Sequence, residues 1–181
     1  MRPITEQNMI NAFGGESMAH MRYRLFAKLA EAQYPNVARL WRAISEAELI
    51  HAGDHYKTLK YLDGGFVANS MGAFGPGDAL KNLSLSIAGE SFEVEEMYPA
   101  FKQIAEFQGE NDALRSFDWS YQTEKMHLAL FQKARDAVVA GYDVELGPVQ
   151  VCSVCGYTLE GEAPDECPVC KAKKDKFTAW A

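Results

Sequence analysis

Residues 48–51 read Glu-Leu-Ile-His and residues 124–127 read Glu-Lys-Met-His, and this pair of segments decides how most of the chain is interpreted. In an α-helix, side chains three residues apart lie on the same face, about one turn from each other. Each segment therefore presents a carboxylate and an imidazole side by side. One Glu-x-x-His segment arises easily by chance, whereas two at matched positions indicate a shared site.

The two segments belong to an internal repeat. Glu48 and Glu124 are 76 residues apart, and Gly15-Glu16-Ser17 recurs 74 residues later as Gly89-Glu90-Ser91. A repeat of this length predicts two αα-hairpins that carry matching polar residues at matching places.

Four long helices are predicted within residues 1–147, over about 5–33, 36–62, 78–108 and 111–141. Thr5 and Asp78 are suitable N-caps, and Gly141 is a suitable residue to end the last helix. Pro99 should kink the third helix because it has no backbone N–H to donate. The glycine-rich stretch 63–77 is long for a helix connection, so we expect it to cross the bundle.

The repeated glutamates and histidines lie on the apolar stripes of these helices, so they should face the core. Buried carboxylates must be paired or bound to metal, and several in one place repel each other unless cations lie between them. One Glu from each of two helices, with Glu-x-x-His from each of the other two, is the ligand pattern of ferritin-like di-iron carboxylate proteins. We therefore predict a two-metal site of iron, with manganese as the alternative. The six ligands that follow the repeat are Glu16, Glu48, His51, Glu90, Glu124 and His127.

Glu93 breaks the repeat, because the equivalent residue 74 positions earlier is Ala19. Its place on the inward line favours a seventh ligand over an ordinary surface acid. His20 and His55 are interpreted as hydrogen-bonding or edge residues rather than ligands.

All four cysteines, Cys152, Cys155, Cys167 and Cys170, lie in the last 30 residues as two Cys-x-x-Cys pairs. Four thiolates complete a tetrahedron around zinc or iron, and a unit this small needs such a staple. Two disulfides are the other interpretation, which a reducing compartment disfavours. Both segments, Cys152-Ser153-Val154-Cys155-Gly156-Tyr157 and Cys167-Pro168-Val169-Cys170, resemble the metal knuckles of rubredoxins, although the loop between them is shorter. Tyr157, Phe177 and Trp180 are expected to form the small core.

Composition excludes several classes of protein. The formal charge is −7, with 18 basic and 25 acidic residues, so a nucleic-acid partner is not expected. No stretch is apolar enough to cross a membrane, and the N-terminus lacks the apolar core of a signal peptide. We expect a cytoplasmic protein that binds neither membrane nor nucleic acid.

Taken together, these motifs resemble those of the rubrerythrins, a ferritin-like di-iron four-helix bundle (1–147) fused to a rubredoxin-like iron-binding domain (148–181). The segments that carry the resemblance are Gly15–His20, Glu48-x-x-His51, Ala88–Pro99 and Glu124-x-x-His127. The fold expected is therefore mainly α, with a small C-terminal metal-knuckle domain.

The resemblance implies specific roles. Glu48 and Glu124 would bridge the two irons, Glu16 would bind one iron, and Glu90 with His127 would bind the other. Glu93 and His51 would alternate on the first iron with redox state, and Tyr23 and Tyr98 would border the site. The two cofactors would be this di-iron centre and a mononuclear iron held by the four cysteines.

The resemblance also implies a function. The family reduces hydrogen peroxide to water with electrons that pass through the rubredoxin-like centre, in defence against oxidative stress. The donor would be rubredoxin or a flavoprotein NAD(P)H-dependent reductase, and the protein would be a homo-oligomer, as a head-to-tail dimer. The alternatives are a ferroxidase or iron-binding protein, a di-iron oxidase that reduces O2, and a C-terminal unit that holds only structural zinc.

Overall fold

The computed structural model describes residues 1–181 and contains five α-helices followed by a three-stranded sheet. The helices are α1 (Pro3–Ala30), α2 (Pro35–Thr58), α3 (Ala79–Phe92), α4 (Tyr98–Gln108) and α5 (Asn111–Val139). A π-helical turn, Glu93–Met97, joins α3 to α4, so these two occupy the place of one bundle helix. None of the helices is both long and apolar enough to span a membrane.

The helix ends follow proline and cap chemistry. Asp78 caps α3 as predicted, because its carboxylate accepts a hydrogen bond from Lys81 N at 2.8 Å. The prediction that Thr5 caps α1 is wrong: Pro3 begins the helix, since its fixed φ and missing N–H suit the first turn. Thr5 lies buried inside the helix and donates from its hydroxyl to Gln108.

The π-helical turn changes which side of the third bundle helix faces the core. A regular period of 3.6 residues continued from Glu90 and Glu93 would place Met97 and Ile104 in the core, but both are only half-buried, while Tyr98 and Ala105 are fully buried. A π-helical turn accommodates one extra residue, so every later position shifts by one around the helix. Pro99 lies in the first turn of α4, directly after this change of register, and the kink expected there stays a prediction.

The bundle consists of two helical hairpins, and a long crossover segment joins the first hairpin to the second. The helix α1 packs on α2, and α3 and α4 pack on α5. Residues 63–77 cross the bundle as predicted and run along α1, where Asn69 N donates to Asn11 Oδ1 at 2.9 Å. Aromatic contacts fill the core beside the polar site, including Tyr23 against Phe131 and Phe26 against Trp41.

The C-terminal unit is a small antiparallel sheet with the cysteines at one end. Its strands are β1 (Val149–Cys152), β2 (Thr158–Glu160) and β3 (Phe177–Trp180), in the order β2-β1-β3. Tyr157 and Phe177 pack on the cysteines as expected. Trp180 instead packs against the core of the bundle, which the sequence did not predict.

The sheet is fixed to the bundle of its own chain. Arg39 on α2 donates to the backbone oxygens of Leu146 at 2.6 Å, Gly147 at 3.1 Å and Trp180 at 2.8 Å. Val149 and Val151 of β1 belong to the same buried cluster as the bundle core. The cysteine end of the sheet therefore has a defined position over the helices.

Candidate metal centre

Four helices contribute the predicted ligands to one buried cluster. Glu16 comes from α1, Glu90 from α3, and each Glu-x-x-His segment lies within α2 or α5. All six of these side chains are at most 1% exposed. The placement on apolar stripes is the reason, since the same residues that face the core must converge there.

The cluster divides into two groups that share two residues. Glu16, Glu48, His51 and Glu124 offer ligand atoms within 4.8 Å of one another, and so do Glu48, Glu90, Glu124 and His127. Glu48 and Glu124 belong to both groups, so they lie between two neighbouring positions suited to cations. This sharing agrees with the role that the resemblance implies for both glutamates, and their bridging of two irons stays a prediction.

The histidines use the same nitrogen toward the carboxylates. His51 Nδ1 lies 2.8 Å from Glu124 Oε1 and 3.2 Å from Glu48 Oε2. His127 Nδ1 lies 2.6 Å from Glu124 Oε2 and 3.2 Å from Glu48 Oε1. In both rings Nε2 is therefore left to interact with other parts of the molecule.

Burial and mutual repulsion shift the pKa values of the cluster residues. Burial raises the pKa of Glu16 well above its usual range, and repulsion by Glu93 and Glu48 adds to the shift. Burial and the neighbouring Glu48 likewise raise the pKa of Glu90 to about 8. Burial alone would lower the pKa of His51, but Glu124 and Glu48 outweigh it and raise that pKa to about 10.

The donor set fits two cations. Several buried atoms of the cluster lack a well-aligned hydrogen bond, namely Glu16 Oε2, Glu90 Oε2, both Glu124 carboxylate oxygens and His127 Nδ1. Orphaned buried polar atoms are rare in native proteins and indicate an ion or another missing partner. Four of these five atoms are carboxylate oxygens and the fifth is an imidazole nitrogen, and all belong to residues of the two groups, a donor set that suits iron.

Each predicted tyrosine donates a hydrogen bond to one glutamate of the cluster. The Tyr23 hydroxyl donates to Glu90 Oε1 at 2.6 Å, and the Tyr98 hydroxyl donates to Glu16 Oε1. Burial, and then the adjacent carboxylates, raise the pKa of both phenols well above their usual value. Each tyrosine thus keeps its proton and orients one carboxylate.

Glu93 lies outside both groups. It begins the π-helical turn, is half-buried, and lines a cavity of about 580 Å³ together with Gly15, Gly89 and Met97. Burial and repulsion by Glu90 raise its pKa well above the usual range. The structure therefore brings His51, and not Glu93, among the ligand atoms of the first group, and a ligand role for Glu93 stays a prediction.

The other two histidines make hydrogen bonds and no contact within the metal groups. His20 Nδ1 lies 2.7 Å from the backbone oxygen of Ser45. His55 is fully buried between Tyr98 and Ser116. These positions agree with the interpretation of both residues as hydrogen-bonding side chains.

The four cysteines form a second site. Their sulfurs group together, with Sγ–Sγ distances of 3.6 Å for Cys152 to Cys170 and for Cys155 to Cys167. This separation is far beyond a disulfide bond and close to the roughly 3.8 Å edge of a tetrahedron with metal–sulfur bonds of about 2.3 Å. The geometry favours one metal ion over the alternative of two disulfides.

The C-terminal unit contacts the Nε2 side of both histidines, through Gly156 of the first knuckle and Thr158 of β2. Gly156 has φ +76°, and a Cβ atom at this position would lie only 2.4 Å from His51 Nε2. Thr158 Oγ1 lies 3.1 Å from His127 Nε2. Sequence reasoning missed both residues, because no pattern along the chain relates the C-terminal unit to particular bundle residues.

Comparisons with known proteins agree with this geometry. The family model described as rubrerythrin matches residues 7–135, and the model for the rubredoxin-like domain of rubrerythrin matches residues 150–178. The chain belongs to the rubrerythrin family. Rubrerythrin-2 of Clostridium acetobutylicum is 41% identical over 180 residues, which cover 98% of this chain and 97% of that protein. Nigerythrin of Nitratidesulfovibrio vulgaris is 34% identical, with 97% and 86% covered.

A solved structure described as the fully reduced, all-ferrous state of nigerythrin matches with a TM-score of 0.84 at 34% identity, covering 97% of this chain and 86% of that one. The ferritin-like fold with a rubredoxin-like unit is thereby confirmed. As a rubrerythrin-family member, the chain is an oxidoreductase with a di-iron carboxylate and histidine site and a four-cysteine site.

Proposed function

We propose that this protein reduces hydrogen peroxide to water with electrons that enter through the four-cysteine centre. The observation that carries the proposal is the contact of the C-terminal unit with His51 and His127, which joins an electron-transfer unit to a two-metal site. Reduction of one peroxide consumes two electrons and two protons and releases two waters. A site that stores electrons in pairs and holds protons nearby suits this stoichiometry.

The residues that would hold the two irons are those of the two groups already described. When bound there, two ferrous ions supply both electrons of the peroxide reduction. The protein matrix does the rest: Tyr23 and Tyr98 keep protons on hydroxyls that contact Glu90 and Glu16, within the buried cluster. Protons held in this way can be delivered without admitting bulk water.

A cavity of about 580 Å³ supports access for a small substrate. Glu93 lines it, as do the small residues Gly15, Gly89 and Ala88, which leave space beside α1 and α3. Glu93 follows the cluster residue Glu90 by three positions, and its charge adds to the raised pKa of Glu16. We propose that Glu93 handles protons or exchanges with His51 as a ligand at the cavity side of the site.

Electrons can reach the bundle within one chain. The knuckle that contains Cys155 and Gly156 contacts His51 on the side opposite the carboxylates. Cys170, by contrast, is partly exposed and lies beside the exposed Pro168. An external donor, either rubredoxin or a flavoprotein NAD(P)H-dependent reductase, is proposed to deliver electrons at this exposed end.

Assembly of the chain into a head-to-tail dimer stays a prediction. Exposed apolar side chains on α1 support some form of self-association: Met21, Leu25 and Leu29 are 55–60% exposed. Apolar patches of this kind commonly mark an interface.

Turnover with NADH tests the proposal. Iron-loaded protein is supplied with NADH, a rubredoxin reductase and rubredoxin, and peroxide-dependent NADH oxidation is followed at 340 nm. The Cys152→Ser variant should lose turnover, while its dithionite-reduced bundle should still be oxidised by added peroxide. Ser153→Ala, which changes an exposed neighbour, serves as the matched control.

Two results would contradict the proposal. Undiminished turnover in Cys152→Ser would remove the electron-entry role of the four-cysteine centre. A reduced bundle that does not react with peroxide but is oxidised by O2 would favour the oxidase alternative. A bundle that oxidises added ferrous iron would favour the ferroxidase alternative.

A further inference from the structure

A row of hydrogen bonds leads from the metal cluster to the protein surface. The Tyr98 hydroxyl contacts Glu16 Oε1, His55 Nε2 lies 3.1 Å from the Tyr98 hydroxyl, and Ser116 Oγ lies 2.8 Å from His55 Nδ1. Tyr98 and His55 are fully buried, and Ser116 is 5% exposed. The row crosses from α4 through α2 to α5, so no single helix dictates it.

The donors in this row all point the same way. Because Tyr98 donates to Glu16, its oxygen can accept only from His55, which places the ring proton on Nε2. His55 Nδ1 is then an acceptor, and the Ser116 hydroxyl is its donor. Burial lowers the pKa of His55 to about 3, with a smaller contribution from His51, so the ring is neutral and can fill both roles.

The outer end of the row opens on a polar cleft. Ser116 lines a cleft of about 260 Å³ whose other walls include Asp54, Lys57, Asp112 and Arg115. Lys57, Asp112 and Arg115 are exposed, so the cleft is open to solvent. It is separate from the cavity beside Glu93, which shares none of these residues.

We propose that Ser116, His55 and Tyr98 relay protons from this cleft to Glu16 during turnover, an inference that rests on the function proposed above. It separates the path of protons, through α5 and α2, from the path of peroxide past Glu93. Peroxide reduction needs two protons for each turnover, and the cluster itself is closed to solvent. A fixed row of donors meets that need without a water channel.

Each transfer balances. Ser116 passes its hydroxyl proton to His55 Nδ1 and takes a replacement from water or a buffer acid in the cleft. His55 releases the proton on Nε2 to the Tyr98 oxygen, and Tyr98 passes its own hydroxyl proton to Glu16. Every relay residue keeps its number of protons, one proton moves from solvent to Glu16, and no electron moves. After the transfer the His55 proton lies on Nδ1; a swing of the side chain toward the cleft lets Nδ1 release that proton to water and Nε2 take one up, which restores the starting tautomer.

Replacing His55 with glutamine separates a relay from a structural role. A glutamine amide can still donate to Tyr98 and accept from Ser116, but it cannot pass a proton from one end to the other. Reduced, iron-loaded His55→Gln should therefore react with peroxide at least about tenfold more slowly, because positioned proton transfer typically contributes this much or more. Its iron content and thermal midpoint should stay near wild type, and its solvent deuterium isotope effect should differ from wild type.

Ser116→Ala tests the outer end with a smaller change and should give the same slowing. Ser86→Ala is the matched control, since Ser86 is equally buried but hydrogen-bonds Trp41 at 3.0 Å, away from the row. Wild-type peroxide kinetics in both His55→Gln and Ser116→Ala would overturn the relay. If the wild-type bundle itself is not oxidised by peroxide, the proposed function fails instead.

Neutron diffraction from crystals of the iron-loaded protein grown in D2O tests the direction of the row without any activity measurement. The expected map has deuterium on His55 Nε2, on the Tyr98 hydroxyl toward Glu16 and on the Ser116 hydroxyl toward His55. Deuterium on His55 Nδ1 with a bare Nε2, or on both nitrogens, would overturn the proposed direction of transfer.

Discussion

At the scale of single residues, the site consists of buried carboxylates whose mutual repulsion is offset when cations bind between them. Glu48 and Glu124 each serve both metal groups, while Glu16 and Glu90 each serve one and each accept a tyrosine hydroxyl. The two halves of the site are therefore alike in their ligands and tyrosines. They differ at Glu93, which has no counterpart on α1.

Replacing Glu93 should affect chemistry more than metal binding. Glu93 is outside both ligand groups but lines the cavity beside them, so Glu93→Ala should keep most of its iron. We expect its reduced bundle to react with peroxide at least about tenfold more slowly, as for the loss of a group that transfers protons. Iron analysis and stopped-flow absorbance measure the two effects.

The neighbouring Glu95 provides the control for this variant, because it lies on the same π-helical turn and is exposed. Glu95→Ala should match wild type in both measurements. Normal peroxide kinetics in Glu93→Ala would remove Glu93 from the reaction.

Gly156 is expected to control electron transfer between the two sites. Gly156→Ala introduces a Cβ atom 2.4 Å from His51 Nε2, at a residue whose φ is +76°. The knuckle must move away from the bundle, so reoxidation of the four-cysteine iron by the oxidised bundle should slow severalfold or more. Stopped-flow measurement of the visible band of that iron follows this step.

Gly161 gives a matched control for backbone strain. Its φ is +102°, but nothing lies within 4 Å of an added Cβ atom. Gly161→Ala should share the strain, about 1–2 kcal/mol for a left-handed residue, and retain fast electron transfer. Equal transfer rates in the two variants would show that the contact at His51 has no part in the electron route.

At the scale of elements, capping and register explain where the sequence succeeds and where it does not. Asp78 was predictable because a side-chain acceptor before an apolar run satisfies the free amides of the first turn. Removing that cap with Asp78→Ala should lower the free energy of unfolding by about 1 kcal/mol. Urea denaturation at constant metal loading measures the change.

Glu31→Ala is the control for Asp78→Ala, because the Glu31 carboxylate makes only a surface ion pair with Arg42 at 3.1 Å and is 61% exposed. Exposed pairs of this kind contribute little, so its stability should be nearly unchanged. Equal losses in both variants would mean that the Asp78 cap contributes nothing specific.

The ligands that could be predicted are those on regular helices. Glu16, Glu48, Glu90 and Glu124 were identifiable because a helical period of 3.6 residues places them on buried stripes. The π-helical turn could not be anticipated from that period, and it moves Tyr98 inward while Met97 stays half-buried. The structure thus brings together the predicted ligands on the regular helices, whereas the position of Glu93 depended on the three-dimensional packing.

At the scale of the whole molecule, the association of the two units is what the sequence could not provide. Each unit was recognisable from its own ligand spacing, and both are confirmed. Their contact depends on single residues far apart in sequence, such as Arg39 with Trp180 and Thr158 with His127. Such pairs leave no periodic pattern, because each is made only once.

Because the C-terminal unit lies directly against the bundle, electrons need no opening in the bundle to reach the metal cluster. The C-terminal unit covers the Nε2 sides of His51 and His127. The proposed entrances for peroxide, at the cavity beside Glu93, and for protons, at the cleft beside Ser116, lie elsewhere. Electrons, substrate and protons would then enter the cluster from three directions.

The most direct test of the account is a stopped-flow experiment in which fully reduced, iron-loaded protein is mixed with excess peroxide under anaerobic conditions. The account predicts rapid oxidation of the bundle, followed by the appearance of the visible absorbance of the oxidised four-cysteine iron. In Cys152→Ser the first phase should persist and the second should be absent. A wild-type bundle that stays reduced, or a four-cysteine iron whose oxidation by peroxide is unaffected when the bundle is inactivated by Glu124→Ala, would contradict it.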